Sequence, residues 1–290
     1  GVLPKPKGKA GENWQEREQL LFKAKEFGDD VDRALQKSDG SWTYFAADAA
    51  YHLDKIQRGF NKMILILGAD HGGYIKRMQA LIKALSDSKA EINIKICQLV
   101  NLQKHGENIK MSKRDGNFVT VSELVEMVGK DVLRFIMLTR KNDALLDLDV
   151  ELAVSQSKDN PVFYIQYAHA RICSVMRKVS DFDINKISNK HLQTLSHPAE
   201  LELIKTISIY PQIISNIAKN YEPHHLAFYL QDLAGQFHAY WNLGKTENNL
   251  RFISDDQLLS NARLALIMAV RRVIKLGLGL FNIQALEEMR

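Results

Sequence analysis

The chain has 290 residues, 46% hydrophobic and 25% charged, a composition that fits a folded globular protein and excludes a largely disordered one. Cys97 and Cys173 are the only cysteines, which excludes a disulfide framework and favours a reducing, cytoplasmic setting. No apolar run is long enough to span a bilayer, so no membrane partner is expected, and the net charge of +5 permits a polyanionic partner without requiring one.

Residues 1–150 alternate predicted helices with predicted strands, a pattern typical of an α/β domain. The run 63–67 (Met-Ile-Leu-Ile-Leu) is typical of a strand that is buried on both faces of a parallel sheet. Asp39-Gly40 predicts a tight turn before an extended segment. The predicted helices are 14–27, 45–58 and 73–86, and a further extended stretch is 92–102.

Residues 151–290 predict a second domain, an all-helical bundle. Asn160-Pro161 is a helix start, with Asn as the cap and Pro in the first turn. Pro211 and Pro223 are expected to break the helices that follow, and Gly277 and Gly279 to loosen the last one. The residues expected on the apolar faces are Ile165, Ala168, Ile172, Val175, Met176, Leu259, Ala262, Leu266, Val270 and Val273.

The first candidate site residues follow the strand 63–67. Gly68, Asp70 and His71 lie where the strand gives way to a helix, and ligands of open α/β sheets bind at the carboxyl ends of strands. Glycine lets the backbone approach a ligand closely, and a carboxylate can bind a ribose diol. The residues therefore indicate a nucleotide site, although a simple strand-to-helix turn capped by Asp70 explains the same pattern.

Tyr44 and Asp48 lie one helical turn apart, so both can face one pocket. A phenol beside a carboxylate suits a cationic ligand, because the carboxylate can pair with a guanidinium in a bidentate manner and the ring can pack on it. An ordinary amphipathic helix with a solvated Asp48 remains the alternative.

Lys110 and Lys113 flank Ser112 on a short loop, before a helix that Thr120 or Ser122 can cap. A lysine that arrives as charge grows on a leaving pyrophosphate lowers the barrier to attack at an α-phosphate. A solvated basic turn is the alternative. Near the end of a bundle helix, Tyr240 and Trp241 could stack on unpaired RNA bases or belong to the core.

With these residues in view, the chain resembles the C-terminal portion of the arginyl-tRNA synthetases, a class I family with a Rossmann-type catalytic domain and a helical anticodon-binding domain. The segment 110–114 is similar to the Lys-Met-Ser-Lys-Ser loop of that class. Segments 37–53, 68–74 and 158–171 resemble the family's arginine pocket, its ATP-binding turn and its entry into the anticodon-binding domain. Under this resemblance, residues 1–150 are part of the catalytic domain and residues 151–290 form the anticodon-binding domain.

The resemblance implies an arginine–tRNA ligase, which makes arginyl-adenylate from L-arginine and ATP with Mg²⁺ and passes the arginyl group to tRNA(Arg). No grouping of His, Cys and Asp in the sequence has metal-ligand spacing, so no structural metal is expected, and the full-length enzyme is expected to be a monomer. The implied catalytic residues are Lys110, Lys113 and Ser112, and the implied ATP-binding residues are Gly68, Asp70, His71 and Met111. The implied arginine-binding residues are Tyr44, Asp48 and His71, and the implied anticodon-binding residues are Tyr240, Trp241, Met289 and Arg171.

One element of the class is missing from the sequence, since no His-x-Gly-His occurs in it. We therefore expect a fragment that cannot by itself form the adenylate at a useful rate. Two other interpretations stay open here: a different class I synthetase such as the cysteinyl enzyme, and a non-catalytic tRNA-binding module. The first should show zinc-ligand cysteines, and two distant cysteines argue against it.

Overall fold

The computed structural model describes residues 18–104, 106–109, 119–155, 160–179 and 181–289. The chain divides into two compact units. The first comprises residues 1–99 with 142–144, and the second comprises residues 100–141 and 145–290. A small α/β part is thus followed by a mostly helical region, which is the fold class that the sequence indicates.

The first unit is built on a parallel β-α-β arrangement with a small antiparallel hairpin before it. Its elements are β1 (Leu20–Phe22), β2 (Arg33–Gln36), α1 (Tyr44–Gln57), β3 (Lys62–Gly68), α2 (Tyr74–Leu85) and β4 (Glu91–Cys97). Strands β3 and β4 pair in parallel from Lys62 opposite Glu91 to Gly68 opposite Cys97. The predicted helices 45–58 and 73–86 and the predicted strand 63–67 are confirmed to within a few residues.

The prediction that this strand is buried on both faces is wrong. Met63 is buried, whereas Ile64 and Ile66 are 52% and 68% exposed. Side chains alternate along a strand, and Met63 and Leu65 point to the face that packs against Ile82 and Met78 of α2. An apolar run alone cannot show that only one face is covered.

The helix predicted over 14–27 is also wrong for its described part. Residues 20–22 form β1, which pairs with β2, and a short 3₁₀ turn, Ala24–Phe27, follows. Phe22 contacts the rings of Phe27 and Phe45. This tertiary packing of an apolar side chain outweighs the helical propensity of the charged residues around it.

The second unit begins with a three-stranded sheet in the order β6-β5-β7, in which β5 is antiparallel to β6 and parallel to β7. The elements of this region are β5 (Val100–Lys104), β6 (Glu107–Asn108), α3 (Val121–Val128), α4 (Lys130–Leu138), β7 (Leu146–Asp149) and α5 (Val150–Val154). The extended stretch 92–102 is therefore two strands in two different sheets. Phe135 of α4 is buried in the main helical core, where its ring meets Phe281. This packing explains why residues 100–141 group with the helices, rather than with the α/β domain predicted over 1–150.

The remaining helices form the bundle that the sequence predicts. They are α6 (Pro161–Met176), α7 (Asn189–Leu192), α8 (Pro198–Ser208), α9 (Tyr210–Asn220), α10 (His224–Thr246) and α11 (Gln257–Leu280). Helices α6, α8, α10 and α11 pack on one another around Ile165, Leu203, Leu230 and Ile267, which have no exposed surface. No helix in the described ranges is both long and apolar enough to cross a membrane.

Helix ends follow the local sequence signals. Thr120 caps α3, and Glu123 returns a hydrogen bond to the Thr120 amide, which completes a capping box. Asn160 caps α6 with Pro161 in the first turn, as predicted. Gly277 has a different part from the one predicted. A Cβ at this position would lie 2.7 Å from Leu230 Cδ2, so glycine here permits close packing of α11 on α10.

Candidate functional site

Helix α1 carries the candidate arginine-binding residues. It begins at Thr43, whose hydroxyl accepts the Ala46 N–H and donates to the Ala34 carbonyl. Tyr44, the first helical residue, is 91% exposed, and Asp48 one turn later is half-buried. The helix geometry puts both on one face, as the sequence predicts. Within the described ranges the Asp48 carboxylate has no hydrogen bond or ion pair, so it is available to a cation.

His52 lies on the same helix one turn beyond Asp48, where the sequence allows a structural part as readily as a functional one. Its Nδ1 lies 2.8 Å from the Asp48 backbone carbonyl and donates to it, which leaves Nε2 as an acceptor. The residue is 3% exposed, and Nε2 has no partner among the described residues. Burial lowers the pKa of His52, so the ring is neutral near pH 7.

The strand-end turn follows β3 directly. Gly68 is the last residue of the strand, Ala69–His71 form a single 3₁₀ turn, and α2 starts at Tyr74. A Cβ on Gly68 would lie 2.9 Å from Asp70 Oδ1, so the Asp70 carboxylate lies close over the end of the strand.

The Asp70 carboxylate and the His71 ring are both exposed, and Oδ2 lies 3.5 Å from Nε2. The ring of His71 also meets the ring of Tyr74 edge-on, with centroids 5.4 Å apart. The turn therefore presents an acceptor and an imidazole at the carboxyl end of a parallel strand, where α/β proteins bind ligands.

The candidate catalytic loop lies outside the described residues. This applies to Lys110, Met111, Ser112 and Lys113. In the chain the loop follows the hairpin of β5 and β6 and precedes the capping box of α3. Its predicted convergence with Asp70 on one nucleotide stays a prediction.

A second candidate site lies in the helical unit, where a cavity of about 230 Å³ opens beside the last turns of α10. Its lining combines apolar side chains with the cations Lys178, Lys245 and Arg251. The residues around it are Val175, Lys178, Tyr240, Trp241, Gly244, Lys245, Leu250, Arg251, Phe252 and Ile253. Aromatic surface next to positive charge suits unpaired nucleic-acid bases and their phosphates.

Trp241 and Arg171, both predicted from the sequence as anticodon-binding residues, are neighbours in the structure. The guanidinium carbon of Arg171 lies 5.2 Å from the Trp241 ring centroid and 4.1 Å from that of Tyr167. Arg171 also donates to the Tyr167 hydroxyl and to Nδ1 of His238. Burial lowers the pKa of His238, which keeps the ring neutral and able to accept this hydrogen bond. The surroundings of Arg171 thus hold it next to the indole.

Tyr240 does not fit a direct contact with a base. It has no exposed surface, and its hydroxyl donates to Glu200 Oε1 at 2.6 Å. Its ring packs edge-on against Phe252. The alternation of aromatic and polar residues left both a stacking ring and a core ring open here. On α10 the ring of Tyr240 is fully buried, whereas its neighbour Trp241 is half-buried.

Met289, the fourth candidate RNA-binding residue, ends a tail that lies along α6. Gln166 donates to the Gln284 carbonyl, His169 Nδ1 to the Leu286 carbonyl and Arg177 to the Glu287 carbonyl. Met289 is half-buried. The tail therefore ends beside the C-terminus of α6, the helix that leads into Lys178 of the cavity. No group of His, Cys, Asp and Glu able to hold a metal occurs in the described part of the chain.

Comparisons with known proteins point to one family. Residues 165–289 match the model of the DALR anticodon binding domain. Over the whole chain, the sequence is 52% identical to an arginine–tRNA ligase of Roseobacter denitrificans and 53% identical to one of a Wolbachia from Brugia malayi. In each case the chain spans 51% of the relative, so it covers about half the length of these curated proteins.

Solved structures agree. A Campylobacter jejuni protein, whose assignment as an arginyl-tRNA synthetase is provisional, superposes with a TM-score of 0.80 at 31% identity, covering 99% of this chain and 59% of that one. The arginyl-tRNA synthetase of Thermus thermophilus gives a TM-score of 0.75 at 22% identity, covering 93% of this chain and 54% of that one, and this likeness concerns the fold.

Proposed function

Since the chain belongs to the arginyl-tRNA synthetase family, we propose that it is part of an arginine–tRNA ligase. The complete reaction forms arginyl-adenylate from L-arginine and ATP, with Mg²⁺ accompanying the ATP, and transfers the arginyl group to tRNA(Arg). The free thiols of Cys97 and Cys173 suit a reducing cytoplasm as its setting.

In this proposal Tyr44 and Asp48 of α1 recognise the arginine side chain. Asp48 pairs with the guanidinium, Tyr44 packs on it, and His71 reaches the amino acid from the strand-end turn. The support is a half-buried carboxylate that has no cation among the described residues. A neutral amino acid leaves this carboxylate without a partner and is rejected by that penalty.

Gly68, Asp70, His71 and Met111 are proposed to bind ATP, with Asp70 on the ribose. Lys110 and Lys113, with Ser112 between them, stabilise the charge that grows on the leaving pyrophosphate. The support is the exposed Asp70 and His71 at the end of a parallel strand, and the spacing of the lysines in the sequence.

The helical unit is proposed to bind the anticodon stem-loop of tRNA(Arg). Trp241 stacks on an unpaired base, Arg171 extends the stack, and Met289 contacts the loop from the tail. Tyr240 is assigned to shaping the cavity instead. The observation that carries this part is the stack of Arg171 beside Trp241, next to a cavity edged by Lys178, Lys245 and Arg251.

The test is binding of a fluorescently labelled anticodon stem-loop of tRNA(Arg) to the 290-residue chain. Trp241→Ala should weaken binding by about 1–3 kcal/mol, the worth of one stacked base. Trp42→Ala is the matched control, because Trp42 is 64% exposed in the first unit and should leave the affinity unchanged.

Equal affinity of the Trp241→Ala and unsubstituted chains would contradict the RNA-binding part. Binding with no preference for tRNA(Arg) over an unrelated stem-loop would favour a general RNA-binding module over the ligase interpretation. A cysteinyl synthetase is no longer favoured, since the two relatives compared above, which match the whole chain at 52% and 53% identity, are arginine–tRNA ligases.

A further inference from the structure

Three buried polar side chains from three helices meet under the cavity of the helical unit. Glu200 of α8 and Arg263 of α11 form an ion pair, with Arg263 Nε 2.7 Å from Glu200 Oε1. The same oxygen accepts the Tyr240 hydroxyl of α10 at 2.6 Å. The second oxygen, Oε2, accepts the backbone N–H groups of Ser196 and His197. The carboxylate thus has four donors and needs no water.

Arg263 extends this network to the segment that forms one wall of the cavity. Its Nη1 donates to the backbone carbonyls of Asn249 and Arg251, at 2.6 and 2.8 Å. These carbonyls lie in the segment 248–253, which we call the wall segment. The side chains of Leu250 and Phe252 from this segment are buried and line the cavity.

The wall segment lies close to α10, so its position sets the space available beside Trp241. A Cβ on Gly244 would lie 3.1 Å from the Leu250 carbonyl oxygen, and Arg251 Nε donates to the Gly244 carbonyl. Phe252 also contacts the ring of Trp241, with centroids 5.9 Å apart. A shift of the wall segment therefore moves a direct neighbour of the indole.

A buried ion pair is a weak source of net stability, because the desolvation of both charges offsets most of their attraction. Such a network instead fixes the positions of the groups that it hydrogen-bonds. Arg263 binds the carboxylate through Nε and the two carbonyls through Nη1, whereas the three donors of a lysine share one nitrogen and do not match that spread. Nothing else in the described residues hydrogen-bonds the Asn249 carbonyl.

We propose that Glu200, Tyr240 and Arg263 are positioning residues for the RNA-binding cavity, holding the wall segment at the distance from Trp241 that admits one base. This inference rests on the RNA-binding part of the proposed function. It gives the buried tyrosine and the ion pair a part in recognition through the wall segment, without contact with the RNA.

The experiment uses the 290-residue chain with Trp14 and Trp42 replaced by Phe, so that Trp241 is the remaining tryptophan. Arg263→Lys keeps the charge next to Glu200 but loses the two carbonyl contacts. Tyr240→Phe removes only the hydroxyl. Tyr229→Phe is the matched control, because it removes a buried hydroxyl on the same helix that donates to the Thr206 carbonyl, away from the wall segment.

Three quantities are measured: the melting temperature, the iodide quenching of Trp241 fluorescence, and the affinity for the anticodon stem-loop. All three variants should melt earlier. Arg263→Lys and Tyr240→Phe should also change the quenching of Trp241 and weaken RNA binding, by about tenfold for the lysine variant, because it loses both hydrogen bonds to the wall segment. Tyr229→Phe should change neither.

Folded Arg263→Lys and Tyr240→Phe chains with unchanged quenching and unchanged RNA affinity would overturn the inference and leave the network a structural one. If Arg263→Lys does not fold, Tyr240→Phe decides. If Trp241→Ala itself does not weaken RNA binding, the proposed function fails, and the quenching of Trp241 still decides whether the network positions the wall segment.

Discussion

In the first unit, Tyr44 leaves 91% of its surface exposed, and Asp70 and His71 lie exposed on a turn, where they contact each other and His71 contacts Tyr74. In the helical unit, Arg171 touches two aromatic rings and donates two hydrogen bonds, and the cavity wall is held by a buried ion pair. The first arrangement suits side chains that form their hydrogen bonds and ion pairs only when a ligand binds. The second suits a recognition surface that is formed before the ligand arrives, which lowers the entropy cost of binding.

The largest expected effect tests the buried network of the helical unit. Glu200→Ala leaves Arg263 charged and buried without its carboxylate, so the free energy of unfolding should fall by about 3–5 kcal/mol. Glu202→Ala, an exposed position on the same helix, should change it by less than about 0.5 kcal/mol. Urea unfolding of the 290-residue chain measures both, and similar losses for the two variants would contradict the comparison.

Removing a carboxylate from the first unit, by contrast, should lower the affinity for arginine and leave the stability of the fold unchanged. The protein tested is a synthetase as long as the relatives, with this sequence as its matching part. In it, Asp48→Asn should weaken arginine binding by about 2–5 kcal/mol, because the guanidinium loses its charged partner. Its urea midpoint should stay the same, since Asp48 has no described ion partner to lose. Asp54→Asn on the same helix, which disrupts an exposed pair with Arg58, is the control and should leave arginine binding intact.

Two glycines of α11 should respond in opposite directions. Gly277→Ala puts a methyl group 2.7 Å from Leu230 Cδ2 in the core and should destabilise the chain by about 1–3 kcal/mol. Gly279→Ala meets no atom within 4 Å and should stabilise it by up to about 1 kcal/mol through helix propensity. Thermal and urea unfolding would show the difference, and a shared sign would refute the packing assigned to Gly277.

The smallest expected effect is a dependence of stability on pH. Burial lowers the pKa of His169 and of His238 in the folded chain. The unfolded chain, with a His pKa of about 6.5, then binds more protons, so stability is full above that pH and falls as the pH drops below it. The urea midpoint should decrease between pH 7.5 and 5.5. Replacing both histidines with Gln should flatten this slope, and replacing the exposed His225 should not.

Local signals in the sequence determined much of the fold. The caps at Thr120 and Asn160 start their helices where the sequence predicts, because a side-chain oxygen three residues before an orphan N–H needs no tertiary partner. The parallel strand 62–68 and its glycine-rich end were equally readable, as was the shared face of Tyr44 and Asp48, which follows from helix geometry alone.

Tertiary contacts decided the rest. Partners far away in the chain determine three features: the covered face of β3, the strand at residues 20–22, and the close packing at Gly277. The same holds for Tyr240 and Trp241. They are adjacent in sequence and both line the cavity, yet Tyr240 is fully buried with its hydroxyl on Glu200 from α8, whereas Trp241 is half-buried beside Arg171. A sequence pattern specifies residue types and their spacing, whereas burial depends on what packs against each side chain, and only the folded chain brings Glu200, Arg263 and the wall segment together.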